Sequence, residues 1–103
     1  MIARLTFFGI RANDVEDIKK IYNEECVPVI KKQKGNVDAW LLEPVNPGDD
    51  FISLTEWLSM GDADAYETSG TYKSLVDKLR NKFRGDPVLK TYTAAETKII
   101  ATA

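Results

Sequence analysis

No histidine occurs anywhere in this chain of 103 residues. That absence removes the side chain most often used as a general base near neutral pH and the commonest metal ligand. There is a single cysteine, Cys26, so an intrachain disulfide is impossible and only a carboxylate metal site stays open. The two short acidic clusters, Asp49-Asp50 and Asp62/Asp64, lack the ligand spacing of a calcium loop and read as turn and helix-cap residues, so no metal is expected. An excess of basic charge is also missing. Fourteen Lys and Arg face sixteen Asp and Glu, scattered without a basic stripe, which argues against nucleic acid and against a membrane surface as partners. No apolar run approaches the roughly 18 residues of a membrane helix. Met1 to Thr6 lacks the basic and long apolar regions of a signal peptide. With one free thiol, these features point to a cytoplasmic protein. Phosphate-loop, dinucleotide and nucleophile-elbow motifs are absent, and Gly9 stands alone.

What remains is an ordinary globular composition of a size that fits one domain with a modest core. Ile2 to Ile10 alternates as a strand. Asn13 and Glu16 have capping-box spacing, and Val15, Ile18, Tyr22, Cys26 and Val29 recur at helical spacing. This predicts a first helix over about 14–34, kinked or locally opened at Pro28, which offers no amide donor, and closed by Gly35. Val37 to Glu43 and Phe51 to Leu58 read as strands joined by the turn-rich segment 44–50. A short helix carrying Ala63, Tyr66 and Glu67, capped by Ser59 or Asp62, comes next. After Ser69-Gly70-Thr71, a clean stripe of Tyr72, Leu75, Val76, Leu79 and Phe83 forms the last helix. Gly85-Asp86-Pro87 ends it, and Val88 to Ile100 reads as a long final strand. The order β-α-β-β-α-α-β predicts an α+β, ferredoxin-like split β-α-β domain spanning 1–103, its four-stranded antiparallel sheet carrying helices on one face.

The strands do not alternate cleanly between apolar and polar. Strand 1 has Ile2, Phe8 and Ile10 on one side and Leu5 and Phe7 on the other. Strand 2 sets Val37, Ala39 and Leu41 against Trp40 and Leu42, and strand 3 sets Phe51 and Trp57 against Ile52, Leu54 and Leu58. Helices cover only one face, so a second copy of the sheet is the expected cover for the other, in a homodimer.

Among chemistry-bearing residues the aromatic set stands out. Tyr22, Trp40, Trp57, Tyr66 and Tyr72 are candidates to line a pocket that stacks a flat phenolic ligand, with tyrosine hydroxyls orienting it. Such stripes are also ordinary core. Arg4 sits mid-strand on an apolar face and needs an anionic partner, which Glu56 or Glu96 can supply; left unpaired, it could bind a phenolate or a carboxylate. Cys26 lies on the apolar helix stripe and reads as an inert core thiol.

The run Leu54-Thr55-Glu56-Trp57-Leu58-Ser59, the short Asp62-Ala63-Asp64-Ala65-Tyr66 helix and the Ser69-Gly70-Thr71-Tyr72-Lys73-Ser74-Leu75 step resemble the antibiotic-biosynthesis-monooxygenase type of the dimeric α+β barrel superfamily. The resemblance spans nearly the whole chain in element order. It implies two sheets joined across a twofold and a cavity between each sheet and its helices. It also implies either a cofactor-independent monooxygenase acting on a small aromatic, phenolic or quinol-like substrate, or a non-catalytic ligand-binding or stress-response dimer; a third reading is a structural dimer whose cavity is filled by its own side chains. In such chemistry the substrate loses a proton and its anion passes an electron to O₂. Arg4, Tyr66 and Tyr72 are then the catalytic candidates, with Tyr22, Trp40 and Trp57 binding substrate and Glu56, a tyrosinate or solvent as base. No cofactor is expected. The haem-degrading branch places a histidine ligand in the region 72–79 and an asparagine in strand 1, and this chain has neither.

Overall fold

The computed structural model describes residues 1–95. Its elements are β1 (Ile2–Phe8), a 3-10 turn (Ala12–Asp14), α1 (Val15–Ile21), a π turn (Tyr22–Cys26), α2 (Val27–Lys31), β2 (Asn36–Leu42), β3 (Phe51–Trp57), α3 (Met60–Thr68), α4 (Thr71–Leu79), a second 3-10 turn (Arg80–Lys82) and β4 (Val88–Thr93). The four strands pair antiparallel in the order β2-β3-β1-β4. This is the ferredoxin-like α+β arrangement expected from the order of elements. Among the described residues the final strand runs from Val88 to Thr93, and Ala94 N–H then donates to the Met1 carbonyl at 2.9 Å. The remainder of the expected strand, 96–100, lies outside the described residues.

Pro28 explains the middle of the first helical stretch. It cannot donate an amide to the carbonyl four residues back, and its ring crowds that carbonyl. The chain responds by widening rather than kinking. Val27 N–H closes a five-residue step to the Tyr22 carbonyl, the bonding of a π turn. Tyr22 and Cys26, both buried, therefore sit at the widened turn. At the start of α1 the expected capping box is not made, because Asn13 lies within the 3-10 turn and no side chain caps the helix. Ser59 does cap α3, its Oγ accepting from Asp62 N–H at 3.1 Å. Gly35 has φ +80°, and a Cβ there would run into the Asp62 carboxyl, so this turn requires glycine.

Register assigns the two sheet faces. Arg4, Thr6 and Phe8 of β1 share a face with Phe51, Thr55 and Trp57 of β3, and all six are buried under the helices. Phe8 stacks on Phe83 at 4.8 Å between ring centroids, and Trp57 on Tyr66 at 4.9 Å. These contacts, with Ile18 and Ile30, make the core. The opposite face carries Leu5 and Phe7 of β1, Trp40 and Leu42 of β2, and Ile52 and Leu54 of β3. That face is largely apolar, as the strand patterns require, with Glu56 beside Ala3 and Lys90 beside Leu5 as charged exceptions. Val37 departs from its expected place with Ala39 and Leu41. A bulge between Asn36 and Asp38 leaves it 44% exposed.

Candidate functional site

A cavity of about 30 Å³ lies between the sheet and the helices. The inward face of the sheet supplies Thr6, Phe8 and Ser53, the widened turn supplies Tyr22 and Cys26, and α3 and α4 supply Tyr66 and Tyr72. Its walls are mainly apolar, and the exceptions are hydroxyls held in pairs. Thr6 Oγ1 and Tyr72 OH are 3.1 Å apart. Tyr22 OH donates to the Trp40 carbonyl at 3.2 Å, and Ser53 Oγ lies 2.8 Å from the same phenol oxygen. A smaller space of about 20 Å³ adjoins it, sharing Thr6, Ser53, Tyr66 and Tyr72 and adding Arg4, Thr55 and Leu89. The local folding reason is parity: residues two apart on a strand point the same way, so Arg4, Thr6 and Phe8 address the helices together.

Of the residues expected at a site, Arg4, Tyr22, Tyr66 and Tyr72 do converge. The two tryptophans do not line the cavity. Trp57 is fully buried behind Tyr66, with Nε1–H donating to Thr55 Oγ1 at 2.9 Å, and is a core residue by position. Trp40 points to the far side of the sheet, 53% exposed, because it alternates with the inward Ala39 and Leu41; only its backbone carbonyl reaches the tyrosine network. Thr6, Ser53 and Cys26 were not expected at a site. Counting parity from Phe8 and Trp57 places Thr6 and Ser53 on the inward face as small polar residues among apolar ones, which is the signal that finds them.

Electrostatics correct the expected partner of Arg4. Glu56 pairs in register with Ala3 and so lies on the opposite face, while Glu96 is outside the described residues. The partners come from α3: Arg4 Nη2 lies 2.8 Å from Glu67 Oε2 and Nη1 lies 3.6 Å from Asp64 Oδ1. Arg4 is buried, whereas both carboxylates are about half exposed, so they can exchange Arg4 for water. Burial pushes the Tyr22 phenol up to about 12, against a smaller opposing effect of the Ser53 hydrogen bond. Burial also pushes Tyr66 and Tyr72 up, and raises the Cys26 thiol to about 11. The tyrosines are therefore neutral hydrogen-bonding groups at physiological pH, and tyrosinate and Glu56 both fall away as the base within this cavity. Among the described residues, no group of three or more Cys, Asp or Glu is gathered to hold a metal ion, and no helix is long and apolar enough to cross a membrane.

No protein-family model and no curated protein sequence matches the chain. Solved structures do. A candidate antibiotic biosynthesis monooxygenase from Deinococcus radiodurans superposes with a TM-score of 0.80 at 14% identity, covering 97% of this chain and 98% of that one. A candidate antibiotic biosynthesis monooxygenase from Nitrosomonas europaea gives 0.76 at 14% identity, covering 93% and 100%. MhuD from Mycobacterium tuberculosis, a haem degrader with two haems in its active site, gives 0.78 at 14% identity, covering 95% and 99%. Haem itself does not fit this chain. There is no histidine to ligate it, Cys26 is buried with its thiol proton held tightly, and a cavity of about 30 Å³ is far smaller than a macrocycle. At this level of identity the likeness is one of architecture: the chain shares the ferredoxin-like α+β fold of these structures.

Proposed function

We propose that this protein is a cytoplasmic homodimer that takes a small phenolic or quinol-like molecule between its sheet and helices and oxygenates it without a cofactor. The observation that carries the reading is the set of paired hydroxyls, Thr6–Tyr72 and Tyr22–Ser53, in an otherwise apolar space between sheet and helices. Such a site orients a flat ring through few polar contacts. The overall reaction balances without an added reductant: a phenol with an open para C–H and O₂ give a quinone and water, the ring supplying four electrons. The chain's part is to bind, orient and stabilise charge. Arg4 is the cation that pairs with the phenolate once Asp64 or Glu67 turns to water, and Tyr66 and Tyr72 stay protonated as donors. The proton leaves to solvent.

Oxygen uptake tests this directly. A panel of phenols and naphthols with an open para C–H is expected to raise O₂ consumption above the buffer rate. Arg4→Met is expected to lower that rate at least tenfold while ligand still binds, since a charge-assisted contact made in the transition state contributes about 1.5–3 kcal/mol. No uptake across the panel ends the catalytic reading. A second reading, a non-catalytic binding dimer, is favoured by the engagement of Arg4 with two carboxylates and by a burial that holds phenols protonated. Ligand binding without uptake is its signature.

The dimer is supported by the apolar outward face of Leu5, Phe7, Ile52 and Leu54 beside Trp40 and Leu42. Leu54→Lys puts a charge at the middle of that face. Burying it unpaired costs about 3 kcal/mol or more, so dissociation is expected to strengthen at least a hundredfold. Sedimentation equilibrium reads this, and an unchanged mass distribution would place the interface elsewhere.

A further inference from the structure

Two spaces of very different size meet at one side chain. Inside is the cavity of about 30 Å³. Outside, between the first helical stretch and β2, runs an open groove of about 500 Å³ walled by Lys19, Asn23, Val27, Lys31, Ala39 and Trp40. Tyr22 lines both. Its ring is buried, and its hydroxyl is held only by the Trp40 carbonyl and Ser53 Oγ. An apolar cavity of about 150 Å³ is what accommodates a benzene-sized ring, so the inner space by itself admits no phenol. The groove is large enough but supplies no enclosed seat.

We infer that a small uncharged monocyclic phenol binds by displacing the ring of Tyr22, entering through the groove beside β2 and taking the place that the tyrosine vacates. The Tyr22 side chain is itself a p-alkyl phenol. When it swings outward it leaves a space of matching shape, joined to the inner cavity, with an acceptor (the Trp40 carbonyl) and a hydroxyl (Ser53) already placed for an incoming phenol. A para substituent on the ligand then points back along the path of the Tyr22 Cβ, towards the groove. The backbone at Tyr22 favours the exchange, because the residue opens a π turn in which Pro28 supplies no amide and the regular helical bonding is already interrupted. Ligands without a hydroxyl leave Ser53 and the Trp40 carbonyl unpaired, so the seat selects phenols over plain arenes. The inference rests on the reading of a phenolic ligand given above but not on its oxygenation.

The test titrates p-cresol and toluene into the wild-type protein and Tyr22→Phe, following backbone amide shifts. Phenylalanine keeps the packing and deletes the latch. The expected result is p-cresol binding about tenfold tighter to Tyr22→Phe, the gain of one net hydrogen bond, with shifts at Ser53, Trp40 and residues 22–26, and no such gain for toluene. Equal p-cresol affinity in the two proteins overturns the inference, as do shifts confined to Lys19 and Lys31 of the groove. Should Tyr22→Phe fail to fold, Tyr22→Ala gives the same decision, since p-cresol bound no more tightly than by the wild type overturns it. Oxygen uptake separates the two readings. Tighter p-cresol binding by Tyr22→Phe, with no O₂ uptake by the wild type on phenols that keep an open para C–H, removes the oxygenase and leaves the displaced-tyrosine site. Turnover with equal affinities does the reverse.

Discussion

Raising the pH from about 8 to about 11 is expected to remove about 4 kcal/mol of folding stability through Tyr22 and Cys26 alone. The folded protein holds the Tyr22 phenol at about 12 against an ordinary 10.0, and the Cys26 thiol at about 11 against 9.0, in both cases chiefly by burial. The unfolded chain therefore releases these protons first. Between the unfolded and folded values the native state binds more protons than the unfolded state, so stability falls as pH rises. The contribution is fully present below the ordinary value of each group. The loss opens with Cys26 at 9.0, is joined by the tyrosines from 10.0, and is complete for these two once pH passes about 12. Tyr66 and Tyr72 shift in the same direction and deepen it. Because whole domains are stable by only about 5–15 kcal/mol, an effect of this size brings unfolding close. Urea titrations at the two pH values measure it. In Tyr22→Phe combined with Cys26→Ala, the drop should shrink by about that amount. A wild type equally stable at both values, or a double variant with an undiminished drop, would sink the account.

The largest single-residue effect is expected at Trp57. Trp57→Ala should destabilise the protein by about 3–5 kcal/mol, the range for removing a buried aromatic. The side chain has no exposed surface, stacks on Tyr66 at 4.9 Å and donates to Thr55 Oγ1 at 2.9 Å. Truncation removes the packing, takes away the stacked partner of Tyr66, and leaves the buried Thr55 hydroxyl to find another acceptor or donor. The cost should appear as a lower urea midpoint with an unchanged slope. Trp57→Phe keeps the ring but loses the indole N–H, and should cost about 1–2 kcal/mol. A Trp57→Ala protein within about 1 kcal/mol of the wild type would mean that the sheet-helix core closes over the gap, which the close packing of protein interiors argues against.

Much of the architecture is legible in one dimension because it depends on local periodicity. The stripe Tyr72, Leu75, Val76 and Leu79 becomes the buried side of α4, with Leu75, Val76 and Leu79 in the core. The turn-rich segment 44–50 separates two strands that pair antiparallel. Pro28 announces a disturbance in the first helix, since a missing amide is a property of the residue alone. Whether that disturbance becomes a kink or a π turn is not a property of the proline alone, and in the structure it is a π turn with Tyr22 and Cys26 both buried. The doubled apolar character of the strands is likewise visible in the sequence, and the register confirms an apolar outward face.

The site was legible only in part. Arg4, Tyr22, Tyr66 and Tyr72 announce themselves as a lone cation and large aromatics on faces that must be buried. Trp40 and Trp57 belong to the same composition, yet one falls outside the sheet and the other behind the cavity wall. Strand parity predicts the face of each, but not how far along the sheet the helices leave a gap. The carboxylates that balance Arg4 come from α3, sixty or more positions away in sequence, and such pairings exist only once helix and sheet dock. The sequence by itself determined the order of elements, the buried faces and the absence of histidine chemistry, because these follow from residue type and spacing. Tertiary structure alone decided the size of the cavity, the partners of Arg4 and the raised proton affinities of the tyrosines, because each depends on distances between segments that packing sets.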